Sequence, residues 1–291
     1  MPELPEVEVT RRELAPVLLG RRIARVHVGK PSYFFLTPPK RLQERLAGRT
    51  VRELARHGKY LRALLDNGET LVLHLGMTGQ LFAAGAHSPR LLSSAARATL
   101  APEDQTSFKP DKHTHLRLEF ADGGPEVVFR DVRKFGKVLL LAPGTSDARL
   151  EKLGVDALSA TGEELFEAAR SRRIPIKTLL LNQEVVAGIG NIYADEALFL
   201  AGVRPTRAAC KVSREQCREI VAACKRVMLR SIETGGSSIS DYVRPGGQDG
   251  GYQDERKVYA RKGEPCGVCG AAIKRIVLGQ RAAHYCPKCQ K

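Results

Sequence analysis

No stretch of this chain stays apolar for long enough to span a bilayer as a helix. No charged start leads into the apolar core of a signal peptide, because the N-terminus is acidic and then basic. No internal repeat and no coiled-coil heptad pattern is present. These absences set the expectation of a soluble, cytoplasmic protein with no membrane partner. Acidic residues are also in short supply: 32 Asp and Glu against 47 Lys and Arg leave a net charge of +15. That excess argues for a polyanionic partner, most simply nucleic acid, although charge alone also fits a generically basic soluble protein. The 291 residues suggest about two domains at ~150 residues each.

The seven cysteines fall into two sets. Cys210, Cys217 and Cys224 are seven apart on an expected helix, with successive members ~10 Å apart along its axis. They cannot share one metal, and read as small buried residues on one helix face. Cys266, Cys269, Cys286 and Cys289 form two C-x-x-C pairs separated by 16 residues. This spacing fits a tetrahedral zinc site built from two tight turns at the ends of a hairpin. Four thiolates leave no open position for water, so the ion would be structural. It would contribute folding energy to a segment with little core of its own. Disulfides or free thiols are the alternatives, and a reducing cytosol disfavours the former. Lys274, Arg275 and Arg281 make the hairpin basic.

Hydrophobic periodicity divides the chain. From Arg22 to about Ala142 the pattern is mostly period two, with strands expected at Ala24–Val28, Tyr60–Leu65, Thr70–Leu75, Leu116–Phe120, Val127–Arg130 and Lys137–Leu141. This predicts an all-β domain of two packed sheets. Ala83–Lys112, rich in Ala and Ser, is too long for an ordinary turn and reads as a mobile surface loop. Pro143–Asp147 reads as a linker. Helical spacing follows over Glu163–Arg170, Ile176–Leu181, Ile192–Leu200 and Ser213–Glu233. A Gly-rich, polar stretch, Thr234–Asp254, leads to the cysteine module.

The chain opens Met1-Pro2-Glu3-Leu4-Pro5-Glu6. Proline at position 2 permits removal of the initiator Met, leaving a secondary amine on Pro2 beside the Glu3 carboxylate. An α-amine has an ordinary pKa near ~8, against ~10.4 for lysine, so more of it is an unprotonated nucleophile at neutral pH. Glu6–Leu19 reads as a helix with Leu14, Val17 and Leu18 on one side, and Pro suits a first helical turn. The positive end of the helix dipole disfavours a protonated amine there. Such an amine can attack carbon and form an imine. A plain helix start with acidic residues in its first turn is the alternative.

Other segments are ambiguous when judged alone. Gly188-Ile189-Gly190-Asn191 precedes a helix, where glycines let a phosphate approach free N–H groups. They also serve plain turns, and Asn191 can be an N-cap. Asp131–Gly136 sets Arg133 and Phe135 two residues apart, so that both can point one way and fill a hole in duplex DNA. An exposed Arg and a core Phe are the alternative. Met77, in Leu75–Gly79, is a second apolar wedge or another core residue.

Taken together these segments resemble the formamidopyrimidine-DNA glycosylase family of bacterial repair enzymes. The resemblance rests on MPELPEVE, GKYL at 58–61, LHLGMTG at 73–79, DVRKFG at 131–136, GIGNIYADEALF at 188–199 and the C-terminal RKGEPCGVCG through QRAAHYCPKCQK. It runs in order along the whole chain. It implies an α+β multidomain protein: an N-terminal β-sandwich with an N-terminal helix over 1–146, a helix-two-turns-helix domain with a lesion loop over 147–256, and a zinc-finger β-hairpin over 257–291. It also implies excision of an oxidised purine flipped from damaged double-stranded DNA. Pro2 would attack the sugar carbon, and Glu3 would protonate the opening ring. The resulting iminium would permit β- and then δ-elimination, with Lys59 and Arg281 as the respective proton donors. His113, Arg133, Arg172 and Asn191 match DNA-binding positions. Met77, Arg133 and Phe135 match the trio that fills the vacated stack, and Ser237–Tyr252 matches the loop over the flipped base. One structural zinc is the only cofactor implied, and a monomer is expected.

Three departures stand out. The 83–112 segment is longer than the family's, which loosens the placement of His113. Arg172 stands where lysine is common, with a different charge geometry. The lesion loop holds little that fixes base preference. Two other readings compete. Oxidised-pyrimidine chemistry of the endonuclease VIII branch is disfavoured by Leu4, where that branch typically has glycine, and by the complete Met77, Arg133, Phe135 trio. A non-catalytic zinc-finger DNA-binding protein requires none of Pro2, Glu3 and Lys59.

Overall fold

The computed structural model describes residues 2–86, 88, 91, 108, 110–239 and 242–291. The chain forms two compact units, residues 1–147 with 234–253, and residues 148–233 with 254–291. Thr234–Gln253 thus belongs with the first unit, whereas the sequence groups it with the helical region.

In the first unit, α1 (Leu4–Leu18) precedes β1 (Ile23–Val28), α2 (Pro39–Leu46), β2 (Val51–His57), β3 (Tyr60–Leu65), β4 (Thr70–His74), β5 (Gly79–Ala83), β6 (Thr114–Phe120), β7 (Val127–Asp131) and β8 (Lys137–Leu141). Two four-stranded sheets result, ordered β2-β3-β4-β8 and β1-β6-β7-β5, with antiparallel neighbours throughout. Inward residues of both sheets share one core with Leu14 and Leu18 of α1. Phe34, Phe35, His115 and Phe129 form its aromatic centre, with Phe34 and Phe129 centroids 4.9 Å apart.

Three elements lack the periodicity that would announce them. β5 is buried along Gly79–Phe82, so it does not alternate. β2 carries a register shift between Val51 and Glu53 and buries only Val51 and Leu54. The charged α2 buries only Leu42 and Leu46, one turn apart. Most of the 83–112 segment lies outside the described residues. Ala86, Leu91 and Phe108 do not behave as a free surface loop: they pack with Phe82, Val128 and Val243 in a second cluster, and Leu91 is buried.

The second unit contains α3 (Ala148–Glu151), β9 (Val155–Asp156), α4 (Gly162–Ala169), α5 (Ile176–Leu180), β10 (Val186–Ala187), α6 (Asn191–Leu200), α7 (Arg214–Glu233) and the hairpin β11 (Lys274–Leu278) and β12 (Arg281–Tyr285). Reciprocal capping boxes start two helices. Thr161 and Glu164 cap α4, and Ser213 and Gln216 exchange hydrogen bonds ahead of α7. A Cβ on Gly162 would lie 2.5 Å from the Arg218 Cα, so glycine permits α4 to approach α7 closely. Cys217 and Cys224 are buried on α7, but Cys210 is exposed on a 3-10 turn before it. The expectation of three cysteines on one helix face is corrected accordingly: Ser213 starts the helix three residues too late for Cys210. No helix among the described residues is long and apolar enough to cross a membrane.

Phe129 is fully buried. Phe129→Ala should destabilise the first unit by about 3–5 kcal/mol, read as a lower urea midpoint with an unchanged slope.

Candidate active site and metal centre

α1 begins two residues earlier than its periodicity suggests. Glu3 is its N-cap: the Glu3 N–H donates to Glu6 Oε2 at 2.8 Å, and the Glu3 carboxylate accepts the Glu6 N–H in return. Pro5, not Pro2, occupies the first turn. Pro2 therefore lies just outside the helix, buried, at the positive end of its dipole. Met1, whose removal would free the Pro2 nitrogen, lies outside the described residues.

Every residue from Leu4 to Thr10 is buried, including Glu6 and Glu8. Glu6 Oε1 also accepts the Ser237 N–H at 2.9 Å. Glu8 accepts from Arg11 Nη2 at 2.8 Å, Arg12 Nε at 2.7 Å and Arg56 Nε at 3.0 Å. Burial alone would raise the Glu8 pKa, but these guanidinium groups outweigh it and hold the carboxyl at about 2. Arg56 also donates to the Gly58 carbonyl at 3.0 Å, next to the buried Lys59. Arg244 pairs with Glu13 of α1, Nε to Oε1 at 2.7 Å.

His74 pairs across the sheet with Tyr60 on one side and Lys137 on the other. Its Nδ1 accepts the Gly76 N–H at 3.1 Å, so the neutral ring carries its proton on Nε2. Desolvation, with the Lys59 and Lys137 cations adding to it, pushes the His74 pKa down to about 4.

The wedge candidates lie on two loops in backbone contact. Gly76 has φ +64°, and a Cβ there would stand 2.4 Å from the Phe135 carbonyl carbon and the Gly136 nitrogen. The buried Asp131 carboxylate joins the loops. It accepts Thr78 Oγ1, the Arg133 N–H at 3.2 Å and the Gly136 N–H at 2.7 Å. The Arg133 guanidinium lies 4.6 Å from the centre of the Phe135 ring. Arg133 and Phe135 are exposed and Met77 half-buried, so neither Phe135 nor Met77 is a sealed core residue. His113 is half-buried, one residue before β6, with its N–H on Asp111 Oδ1 at 2.9 Å. Burial lowers its pKa.

In the second unit, Gly190 caps α6 and Asn191 is its first helical residue, which corrects the N-cap reading of Asn191. Asn191 Oδ1 is buried without a protein partner among the described residues, an arrangement that a ligand can complete. Arg172 is exposed in the turn after α4. Arg281 is exposed at the tip of the β11–β12 hairpin. The turn residues Gly279 and Gln280 have φ +51° and +63°, the pattern of a type I′ turn.

The four cysteine sulfurs lie within 4.8 Å of one another, with Cys266–Cys289 at 3.9 Å and Cys269–Cys286 at 3.4 Å. A tetrahedron with Zn–S bonds of ~2.3 Å has edges of ~3.8 Å, so this donor set fits one structural zinc. Adjacent acids on α6 hold the hairpin's surroundings. Asp195 Oδ1 pairs with Lys177 Nζ at 2.6 Å, both fully buried, and its Oδ2 accepts the His284 N–H at 2.8 Å. Glu196 accepts the N–H groups of Lys257, Val258 and Tyr259.

Three family models cover the chain in order: the formamidopyrimidine-DNA glycosylase N-terminal domain over residues 1–138, its H2TH domain over 153–243, and a zinc finger found in FPG and IleRS over 263–291. The formamidopyrimidine-DNA glycosylases of Hahella chejuensis and Burkholderia thailandensis are 40% and 41% identical to it over the full length of both chains. The chain belongs to the formamidopyrimidine-DNA glycosylase family. Among solved structures, the MutM (Fpg) protein of Thermus thermophilus is similar at a TM-score of 0.82 and 35% identity, covering 99% of this chain and 98% of that one. The Lactococcus lactis Fpg in complex with abasic-site DNA is similar at 0.83 and 32%, covering 99% of each chain. The family's motifs point to Pro2, Glu3, Lys59 and the wedge trio. Of the residues that surround these, Glu8, His74 and Asp131 lie within the motif segments without being singled out there, and Arg56 lies outside them. A signal was present for one group: the acid pair Asp195-Glu196 inside the apolar run Asn191–Leu200 needs buried partners.

Two measurements follow. Because the His74 pKa is lowered on folding, its contribution to stability is full above pH 6.5 and falls away as pH drops towards 4. His74→Gln should therefore flatten the loss of urea stability between pH 6.5 and 4.5, and an unchanged slope would remove His74 as its source. Chelation should release a single zinc per chain and unfold the hairpin, with amide exchange across residues 274–285 rising at least about a hundredfold.

Proposed function

We propose that the protein is a bifunctional base-excision repair enzyme, a glycosylase for oxidised purines and a lyase at the abasic site that results. The observation that carries this reading is Pro2, placed immediately outside the buried N-terminus of α1 with Glu3 as its cap. A non-catalytic DNA binder has no use for a secondary amine and a carboxylate at that point. The solved Lactococcus lactis relatives are complexes with DNA that contains Fapy-dG or an abasic site, which supports damaged duplex DNA as the substrate.

In this reading the Pro2 nitrogen, freed of Met1, attacks C1′ of the flipped nucleotide, and the bond to the base breaks with its electron pair leaving on the base. Glu3 protonates the ring oxygen as the sugar opens. The iminium accepts the electrons released when C2′ loses a proton, so the 3′ phosphate departs, and the 5′ phosphate follows by δ-elimination. Lys59 and Arg281 donate protons in the first and second eliminations. The zinc, when bound, supplies hairpin stability and takes no part in bond making. Asn191, Arg172 and His113 bind phosphates. Met77, Arg133 and Phe135 fill the vacated stack, and residues 237–252 cover the extruded base. The enzyme acts as a cytoplasmic monomer on the nucleoid.

Borohydride trapping on a duplex with one 8-oxoguanine opposite cytosine tests this reading, after mass spectrometry shows Met1 to be absent. Wild type should form a covalent adduct and Pro2→Gly none, while both bind the duplex. Glu3→Gln should slow base release by roughly 10²–10⁴-fold. Binding without an adduct from wild type would leave a DNA-binding protein in place of an enzyme for this lesion.

A further inference from the structure

Tyr33 lies between β1 and α2 and is 59% exposed. Two contacts hold this large aromatic outside the core, and both belong to the loop of Arg133 and Phe135 or to its exit. The hydroxyl donates to the Arg133 carbonyl at 2.8 Å. The Lys137 ammonium lies 4.8 Å from the ring centre, within the range of a cation–π contact. On the other side, the Arg133 N–H is bound by Thr78 Oγ1 at 3.0 Å and by Asp131. Side chains therefore hold both backbone polar groups of Arg133, one from the buried side and one from the exposed side.

The next residue, Lys134, has φ +58°. A non-glycine residue adopts that conformation only when its surroundings over-determine it. The kink sets the 133–134 peptide so that its carbonyl meets Tyr33, while the Arg133 guanidinium lies over Phe135. Asp131 fixes the base of the loop and Tyr33 fixes its outer edge.

We propose that Tyr33 is a positioning residue for the wedge. Its hydroxyl latches the Arg133 peptide so that Arg133 and Phe135 enter the duplex as one preformed unit. This deepens the glycosylase reading and rests on it. Without the latch, the peptide is free to rotate, and the loop must be ordered at the moment of insertion. An ordinary neutral hydrogen bond predicts an effect of about fivefold. The exposed ring could instead act as its own stacking platform for a base. Tyr33→Phe separates the two roles, because it keeps the ring and removes only the hydroxyl.

The test uses a duplex with a tetrahydrofuran abasic analogue opposite 2-aminopurine, whose emission rises when the wedge disturbs its stack and which needs no chemistry. Wild type, Tyr33→Phe and Tyr33→Ala are compared by stopped flow. Borohydride trapping on a single-stranded abasic oligonucleotide, which has no opposite strand to wedge, runs beside it. The latch predicts insertion about fivefold slower in Tyr33→Phe, with single-strand trapping unchanged. Tyr33→Phe matching wild type while Tyr33→Ala is slow would replace the latch with a stacking platform. Equal loss on both substrates would make Tyr33 a general structural residue and overturn the proposal. An emission change from wild type without any adduct would sink the lyase part of that reading alone, and no response on either substrate would sink both the reading and the latch.

Discussion

The ion pair between Glu8 and Arg56 is the constraint on which the first unit's proposed chemistry depends. Both side chains are almost wholly buried, at 8% exposure each. A charge in that position is tolerated only with partners. Glu8 satisfies the need with three guanidinium groups, and Arg56 satisfies its own by reaching on to the Gly58 carbonyl. One buried charge network thereby joins the helix that presents Pro2 to the turn that presents Lys59. The proposed nucleophile, Pro2, has no side-chain reach with which to correct its placement. Its position is set by the backbone, and the backbone is set by α1. The burial of all seven residues from Leu4 to Thr10 is the packing side of the same requirement.

Glu6 extends this frame to the chain at 237. Its two oxygens divide the work, one accepting Glu3 N–H and the other Ser237 N–H. The helix cap beside Pro2 and the start of the proposed lesion loop therefore share one carboxylate. Asp131 does the equivalent for the proposed wedge, where a single carboxylate accepts from both loops. In both places a short acidic side chain is used as a fixed post for backbone N–H groups, which is what holds irregular chain in one conformation without a ladder of its own. The glycines at 76 and 136 serve the same end, since side chains there would collide with neighbouring atoms.

Much of this was legible in the sequence because it is local. Alternation revealed β6, C-x-x-C spacing revealed the metal centre, and the opening motif singled out Pro2 and Glu3 as candidates. Elements whose burial does not alternate stayed hidden: β5 is buried on both faces, and α2 shows only two core positions. α1 starts at Leu4 rather than Glu6, because Pro5 in the first turn costs no hydrogen bond. Long-range partners were beyond reach. Glu8 with Arg56 is separated by 48 residues and Tyr33 with Arg133 by 100, and neither pair leaves a periodic trace. Asn191 is the sharpest case: its place before a helix fits a cap or a ligand site equally in sequence, and the geometry gives the cap to Gly190.

The second unit repeats the logic of the first with different residues. A zinc hairpin has little apolar surface, so the metal can fix its fold without fixing its attachment. Attachment falls to the acid pair on α6. Asp195 takes the β12 backbone at His284 and the Lys177 ammonium, which in turn donates to the Ala282 carbonyl. Glu196 takes the three consecutive N–H groups of 257–259, where the chain enters the module. Burial raises the Glu196 pKa against the pull of those bonds, so a carboxylate is held here at some cost to stability. A hydrophobic contact of similar size would pack as well, but it would not select one register of the strand. Directional bonds to Ala282 and His284 do select it, and Arg281 at the hairpin tip inherits that register.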